Sequence, residues 1–412
     1  MKNRVLGYII GIAGIVVLIG LALLVVLCIL PKNEQGRETA NKENLLLWYY
    51  DDSLTDFVKA AASAYESENE ITVDYELVSS IEFFEDINLK NASGERTPDL
   101  YITDTTQLEK AYLGSLSEEN AYPELYTEKN FYQRAIDAVT YKGILVAYPL
   151  SFDTAFLAYN TDYVNEAPEI FLDIYDVQTD NSENENIDCV ISYDKHEILS
   201  NFYSLGNSLI LGGNSGDNIS EFKIDKDLLM QAMYYYQSFP YDYNVFADVY
   251  EEAAEKFLTG KSIYSILTVK SLKALSESSV NYSICKIPDY SNTIKTKTLS
   301  TTLCVCVNPF SADEDGAASL AKFMTYDFSD NILDTVSQKS CRRNSNSSAE
   351  EKIIAEIYEE SAILPKLIKT EGLWSEIKSF LNHILSGGDI EECVDSLEEN
   401  LNEALTSTIG AD

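Results

Sequence analysis

Residues 143–160 form the stretch GILVAYPLSFDTAFLAYN, in which Asp153 is the single charged residue. Two strand-like runs lie on either side of Pro149, and the restriction that a proline places on the preceding residue keeps Tyr148 extended. An acid with phenylalanines close by is poorly solvated and needs a hydrogen-bond partner from the protein or from a ligand. The stretch therefore predicts two buried strands and a partner for Asp153 near their junction.

Strand-like and helix-like segments alternate on both sides of this stretch. The run LLLWYY at 45–50, the helical pattern of LTDFVKAAASAYESE and the alternating ITVDYELV at 71–78 predict a β-α-β opening. A further strand is predicted within GERTPDLYITD at 94–104, and helices are predicted at 224–239, 248–259, 312–327, 348–360, 371–385 and 389–406. Such alternation favours an α/β fold with mostly parallel sheets.

Length and charge limit the possible functions. The chain has 412 residues, more than one hydrophobic core usually holds, so we expect two lobes. Its net charge of −37 disfavours nucleic-acid binding, because that binding depends on Lys and Arg. Only two histidines occur, His196 and His383, which disfavours a histidine base and a poly-histidine metal site. We expect no cofactor and no metal.

The N-terminal segment predicts a membrane anchor. Residues 5–30 carry no charge and would form a helix about 39 Å long, enough to cross a bilayer. No small-residue cleavage site follows the run, which favours an uncleaved anchor at 1–30, although Cys28 leaves lipid attachment open. Basic residues before the run predict a cytoplasmic N-terminus. A polar tether at 31–44 would then hold the main domain outside the cell membrane.

The cysteines give a weak signal. Six of the seven lie beyond the anchor, and their wide scatter favours isolated core thiols over a disulfide framework, without fixing a pairing. Cys304 and Cys306 alternate in LCVCV and could present two thiols to a metal. Small apolar side chains in a buried strand are the favoured interpretation.

Several segments, in family order, resemble the extracellular solute-binding proteins of family 1, the maltose-binding-protein-like receptors of ABC importers. The most specific is 141–164, where G-x-L-x-A-x-P followed by L-x-Y-N resembles the crossing from the first lobe to the second. Further resemblance lies in LLLWYYDDSLTDFVKAAASAYESENEITVDYEL (45–77), TPDLYITDTTQLEKAYLGSLSEE (97–119), YEEAAEKFLTGKSIYSILTVKSLKAL (250–275) and LSTTLCVCVNPFSADEDGAASLAKFM (299–324). The resemblance covers roughly residues 45–405.

The resemblance implies an α/β, two-lobed periplasmic-binding-protein-like fold, here preceded by one N-terminal transmembrane helix. Strand crossings would join the lobes, and the ligand would bind in the cleft between them. The expected first lobe comprises 45–151 with 300–345, and the expected second lobe comprises 155–298 with 350–412. Binding would close the hinge between the lobes.

The resemblance also implies which residues line the cleft. Carboxylates and hydroxyls side by side suit a hydroxyl-rich ligand, although the same residues serve as helix caps. Asp153 is a candidate at the first crossing. The candidates on the first lobe's side follow two strands: Tyr50, Asp51, Asp52 and Ser53 after one, and Thr103, Asp104 and Thr105 after the other.

Trp374 and Lys378, in EGLWSEIKSFL, resemble the aromatic and basic residues of the family's late helix. Positions four apart share a helix face, and an aromatic ring can stack on a sugar whose hydroxyls contact charged groups. Core packing is the alternative for Trp374. The sequence departs from the family pattern at two places, which weakens the assignment of a sugar ligand. Many sugar-binding members carry a tryptophan where residues 266–269 have none, and a proline is common where residues 341–344 have none. The two arginines in 341–344, Arg342 and Arg343, either pair with carboxylates or serve an anionic ligand.

The resemblance, together with the N-terminal segment, implies a monomeric, membrane-tethered receptor rather than an enzyme. It would capture a small polar solute, a carbohydrate above all, for ABC permease subunits. An alternative keeps the fold but senses a ligand or a surface partner without transport. An extracellular hydrolase is disfavoured because neither G-x-S-x-G nor H-E-x-x-H occurs.

Overall fold

The structure, a computed structural model, describes residues 44–78, 83–181, 186–242, 245–332, 338–344 and 347–406. The predicted anchor and its tether up to residue 43 lie outside these ranges. In the ranges given, no helix is long and apolar enough to span a bilayer.

Most of the longer strands are buried and rich in apolar, β-branched and aromatic residues, as strands covered on both faces are, whereas the strand at 73–77 is largely exposed. They are β1 (Leu45–Tyr49), β2 (Val73–Leu77), β3 (Leu100–Asp104), β4 (Thr140–Tyr141), β5 (Ile144–Leu145), β6 (Tyr148–Asn160), β7 (Cys189–Asp194), β8 (Leu209–Leu211), β9 (Phe222–Ile224), β10 (Val245–Asp248), β11 (Ser262–Thr268), β12 (Tyr282–Cys285), β13 (Leu299–Val307), β14 (Lys339–Ser340) and β15 (Ala362–Ile363).

The helices present one apolar face to these strands. They are α1 (Thr55–Asn69), α2 (Phe83–Ser93), α3 (Leu108–Leu113), α4 (Gln133–Val139), α5 (Phe171–Asn181), α6 (Ile198–Asn201), α7 (Lys226–Asp242), α8 (Tyr250–Leu258), α9 (Leu272–Glu277), α10 (Glu314–Lys322), α11 (Ala349–Glu360), α12 (Leu373–Leu385) and α13 (Ile390–Thr406). The predicted helix at 312–327 ends in a π-helical turn over Phe323–Asp327.

The main sheet has the strand order β10-β7-β11-β6-β13-β3-β1-β2. At one end β1 is parallel to both β2 and β3, and at the other β7 is parallel to both β10 and β11. In the middle, β6 and β13 are antiparallel to their neighbours in this order. The predicted α/β class is confirmed. Along this strand order the expected parallel pairing holds only toward the two ends, although β13 also pairs in parallel with the short β15.

Strand β6 passes from one group of strands to the other. Its residues 148–154 pair with β13, and Ser151 and Phe152 also pair with β14. Its residues 155–160 pair with β11 and β12. The change of partners falls between Thr154 and Ala155, next to Asp153, where the resemblance implied the first crossing.

The prediction that Pro149 separates two strands is wrong. Pro149 lies inside β6, opposite Cys304, and the register between β6 and β13 shifts there between Leu303 and Cys304. Proline is tolerated near the start of a strand or beside an irregularity, because no regular ladder hydrogen bond from its nitrogen is needed. Within residues 143–160, the long strand β6 therefore begins at Tyr148, and the short strand β5 lies before it.

Two large clusters of buried side chains flank this crossing. One packs α1, α4, α8, α9, α10 and α11 against β1, β3, β6 and β13. The other packs α5, α7, α12 and α13 against β7 and β11. Because each large apolar side chain contributes about 1.5–3 kcal/mol when buried, these clusters stabilise the positions of the strand ends between them.

The helix after β1 starts differently from the prediction that Asp52 or Ser53 caps it. Asp51 accepts a 2.9 Å hydrogen bond from the Ser53 amide and caps a 3₁₀ turn at Asp52–Leu54. Helix α1 then begins directly from that turn, with no side-chain cap. The backbone amide that needs an acceptor belongs to the 3₁₀ turn. Asp51, which precedes this turn, therefore caps it in place of Asp52 or Ser53.

Candidate functional site

Asp153 lies at the crossing in β6, opposite Thr301 of β13. Its carboxylate accepts a 2.7 Å hydrogen bond from the backbone amide of Val269, which follows β11. Burial raises the pKa of Asp153 to about 6, although the hydrogen bonds of Thr268 and Val269 and the charge of Lys270 oppose that rise. The partner that the sequence required for this acid is therefore a protein amide.

Tyr50 and Asp104 meet at the carboxyl ends of β1 and β3. Because these strands are parallel neighbours, the residues that follow them lie at the same edge of the sheet. The Tyr50 phenol donates a 3.0 Å hydrogen bond to the Asp104 carboxylate. Burial and this carboxylate raise the pKa of Tyr50, so its hydroxyl stays protonated and remains a donor.

Other groups fix the positions of this pair. The Asp104 carboxylate also accepts a 2.9 Å hydrogen bond from the Thr106 amide and a second bond from the Thr106 hydroxyl. The Tyr50 ring packs edge-on against Phe83, with centroids 6.0 Å apart. Asp104 therefore caps the turn that follows β3 and also accepts the hydrogen bond from Tyr50.

The remaining candidates on these strand ends differ in exposure. Asp52 and Ser53 are exposed, and Asp52 accepts a 3.0 Å hydrogen bond from the Thr55 hydroxyl. Thr103 and Thr105 are buried, at 1% and 3% exposure. Of the predicted set, the structure brings Tyr50 into contact with Asp104, and it places the two threonines beneath the surface.

Trp374 and Lys378 lie near the start of α12, on one helix. The Trp374 ring is partly buried against the second cluster and meets Phe202 edge-on at a centroid distance of 6.4 Å. Lys378 is exposed. The two residues make no ring contact or hydrogen bond with Tyr50 or Asp104 in the described part of the chain.

Lys366, between β15 and α12, is a buried charged residue that was not predicted from the sequence. It is 0% exposed, and its ammonium donates to the carbonyl oxygens of Asp137 at 3.0 Å and Thr140 at 2.6 Å. Its own amide donates to the Gly216 carbonyl. Burial lowers the pKa of Lys366 to about 7. The available signal was a lysine within the apolar run ILPKLI at 363–368.

Neighbouring contacts connect the same segments. Glu109 accepts hydrogen bonds from the Tyr141 hydroxyl at 2.8 Å and from the Ile368 amide at 2.7 Å. The Lys142 amide donates to the Asp217 carboxylate at 2.5 Å. Residues 364–370 are therefore held both by the helices after β3 and by the loop that contains Gly216.

The predicted basic loop is structural. Arg343 pairs with Glu359 at 2.5 Å and donates to the carbonyl oxygens of Glu128 and Phe131, while Arg342 lies 3.7 Å from Asp330. Cys304 and Cys306 are fully buried in β13 as free thiols. Over the described ranges no three His, Cys, Asp or Glu residues come together as a metal site.

Solved structures of similar shape decide the fold. An extracellular solute-binding protein from Staphylococcus aureus in complex with maltose matches with a TM-score of 0.73 at 17% identity, covering 88% of this chain and 97% of its own. The chain has the fold of extracellular solute-binding proteins. The resemblance to family 1 that the sequence motifs indicated is confirmed at the level of this fold.

Further matches agree. The maltotriose-binding protein of Thermus thermophilus, bound with maltotriose, has a TM-score of 0.70 at 15% identity over 88% of this chain and all of its own. Among curated proteins, the galactooligosaccharide-binding protein of Bacillus subtilis is 22% identical over 307 residues, 71% of this chain and 72% of the relative. No family model matches the chain.

Proposed function

We propose that this solute-binding fold captures a carbohydrate and delivers it to an ABC importer. The observation that supports this most directly is the Tyr50–Asp104 pair at the carboxyl ends of adjacent parallel strands. In open α/β sheets ligands bind beyond the carboxyl ends of the strands. A carboxylate already oriented by Tyr50 and Thr106 has lone pairs left for sugar hydroxyls.

The proposed ligand cleft lies between two lobes that divide where β6 changes partners. The first lobe would contain 45–151 with 300–345, and the second would contain 155–298 and most of 350–412. The Tyr358 ring on α11 stacks on Phe152, in the first half of β6, with centroids 3.7 Å apart, so we assign α11 to the first lobe. Asp153 and the segment around Lys366 would then lie at the hinge.

Candidates from both lobes would contact the sugar. Tyr50, Asp104 and the exposed Asp52 and Ser53 would contribute from the first lobe. Trp374 and Lys378 would contribute from the second. The partly exposed Trp374 ring offers a flat surface for a sugar face, and Lys378 offers a donor for hydroxyls.

The cellular setting is also part of the proposal. Residues 5–30 would anchor a monomer to the cell membrane, with the main domain extracellular, where it would meet permease subunits. No chemical step is assigned to the site, because the fold's solved relatives in complex with sugars are binding proteins by their names.

A thermal-shift screen of the purified full chain tests binding. Maltose, maltotriose and a galactooligosaccharide should raise the melting temperature if the pocket accepts their class. A ligand at 100 times its dissociation constant stabilises by about 2.7 kcal/mol. The absence of any shift across these sugars up to millimolar concentrations would contradict the carbohydrate assignment.

Uptake measurements separate transport from sensing. Cells that lack this chain should lose accumulation of the labelled sugar found in the screen, and the wild-type chain should restore it. Tight binding with unchanged uptake would instead favour the sensing alternative on the same fold.

A further inference from the structure

A pocket with an unusual charge lies between the end of β12 and the start of β13. Its empty volume is about 540 Å³. It is lined by three lysines, three other polar residues, one apolar residue and one acid: Lys286, Lys295, Lys297, Asn207, Thr296, Thr298, Ile357 and Glu360. Three lysines in one pocket are unexpected in a chain with a net charge of −37.

Two of these lysines have acidic partners at the rim. Lys295 lies 2.9 Å from Asp289, and Lys286 lies 3.3 Å from Glu360. The side chains of Lys286 and Glu360 are 47% and 68% exposed, so their ion pair contributes little and a competing anion can replace it. The ammonium group of Lys286 is therefore available to a ligand at modest cost.

Lys297 differs from both. It is partly buried, and within the described residues it makes no hydrogen bond or ion pair. Burial and the neighbouring cations Arg134 and Lys286 lower the pKa of Lys297, while Glu360 opposes that change. A desolvated ammonium among other cations is an unfavourable arrangement that a bound anion would relieve.

Neutral donors complete the lining. Thr298 is 4% exposed, and its hydroxyl makes no hydrogen bond among the described residues. Asn207 lies exposed at the rim and can donate from its amide. The Thr296 hydroxyl already donates to backbone carbonyls at 3.2 Å, so it fixes the loop rather than the ligand.

We propose that this pocket is a binding site for a small oxyanion such as inorganic phosphate, separate from the proposed sugar cleft. The Lys297 ammonium would bind the anion directly, with Lys286 and Lys295 on either side and Thr298 and Asn207 as hydrogen-bond donors. Ammonium groups and hydroxyls are common ligands of phosphate oxygens. The pocket walls come from segments that pack on both large clusters, so a bound anion would hold these segments together.

Calorimetric titration of the full chain with sodium phosphate tests the proposal. The comparison is sodium chloride at the same ionic strength, since general screening acts equally for both salts. Phosphate should bind with saturation and raise the melting temperature, whereas chloride should do neither. Equal effects of the two salts would overturn the proposal.

Three variants locate the binding. Lys297→Gln should weaken phosphate binding roughly tenfold or more, the effect expected for loss of a charge-assisted hydrogen bond. Without phosphate this variant should melt no lower than the wild type, because it loses a desolvated charge. Thr298→Val keeps the shape and should weaken binding less. Lys59→Gln, at an exposed position on α1, should bind phosphate as the wild type does.

The outcomes are distinct. Unchanged phosphate affinity in both Lys297→Gln and Thr298→Val would contradict the site even if the chain binds phosphate elsewhere. A sugar screen that fails while phosphate binding persists would contradict the proposed function and leave this site in place.

Discussion

Lys366 donates a 2.6 Å hydrogen bond from its buried ammonium to the carbonyl oxygen of Thr140. The two residues are far apart in the chain, one in β4 and the other between β15 and α12. A lysine with no exposed surface is rare unless its charge is compensated, and here backbone carbonyls take that role. We therefore expect the protonation state of Lys366 to affect the stability of the fold.

We predict that stability rises with pH through the titration of Lys366. Its pKa is lowered to about 7 in the folded chain, whereas an unfolded lysine titrates near 10.5, so between these values the unfolded state binds more protons. From pH 7 to 9 this lysine should add up to about 3 kcal/mol to the free energy of unfolding. Denaturant titrations of wild type and Lys366→Met measure the difference. Parallel curves for the two proteins would contradict the prediction, and Lys59→Met controls for loss of a surface charge.

Asp153 should have the opposite effect at lower pH. Its folded pKa is raised to about 6, above the value of an unfolded aspartate, so the folded state holds the proton more tightly between about pH 4 and 6. Protonated Asp153 therefore contributes about 3 kcal/mol to the free energy of unfolding below pH 4, and this contribution is lost as the pH rises through 6. Unfolding measurements from pH 4 to 7 should show this loss in the wild type relative to Asp153→Asn. A constant difference over that range would show that Asp153 titrates normally.

The Tyr50–Asp104 pair should matter for ligand affinity more than for folding. Asp104→Asn removes the charge that we propose binds sugar hydroxyls, and Tyr50→Phe removes the donor that orients it. Each should weaken binding about 10-fold or more, since hydrogen bonds to charged groups contribute about 1.5–3 kcal/mol. Calorimetry with the sugar found in the screen, on both single variants and the double variant, measures the coupling. Asp56→Asn, exposed on α1, is the matched control. Additive losses would contradict a joint role.

The sequence alone predicted the helices and strands whose apolar residues are regularly spaced. The helix predicted at 371–385 is Leu373–Leu385, and the one predicted at 389–406 is Ile390–Thr406, because apolar spacing marks a helix face locally. The strand β1 within the run at 45–50 and the buried position of Cys304 in β13 also followed from apolar runs. These properties depend on residues close in the chain.

The missed features depend on residues far apart in the chain. Pro149 was expected to break a strand, but the register shift opposite Cys304 accommodates it. Tyr50 and Asp104 were each predicted, yet their contact depends on β1 and β3 being adjacent. Lys366 was missed because its burial depends on carbonyl oxygens in α4 and β4, which no local pattern of the sequence shows.

Trp374 provides the sharpest test of the second lobe's part in binding. Its ring is partly buried and contacts Phe202 on one side, which leaves part of the ring exposed. Stacking area of this kind contributes about 1.5–3 kcal/mol when a ligand covers it, so Trp374→Ala should weaken sugar binding roughly 10- to 150-fold. Tryptophan fluorescence should also change on titration with the sugar, and that response should be lost in the variant.

A core role for Trp374 would give a different result. Truncation of a fully buried tryptophan costs about 3–5 kcal/mol of folding stability, and the partial exposure here predicts a smaller loss. Trp374→Phe keeps a ring against Phe202 and should recover most of the stability but only part of the affinity. Lys378→Ala, four residues on and exposed, should lower affinity without lowering stability, because the proposal gives this residue a sugar contact and no packing role. A large loss of stability in Trp374→Ala with unchanged affinity would exclude the binding role, because the ring would then serve the core, and Asp104 and Asp153 would be the residues to test next.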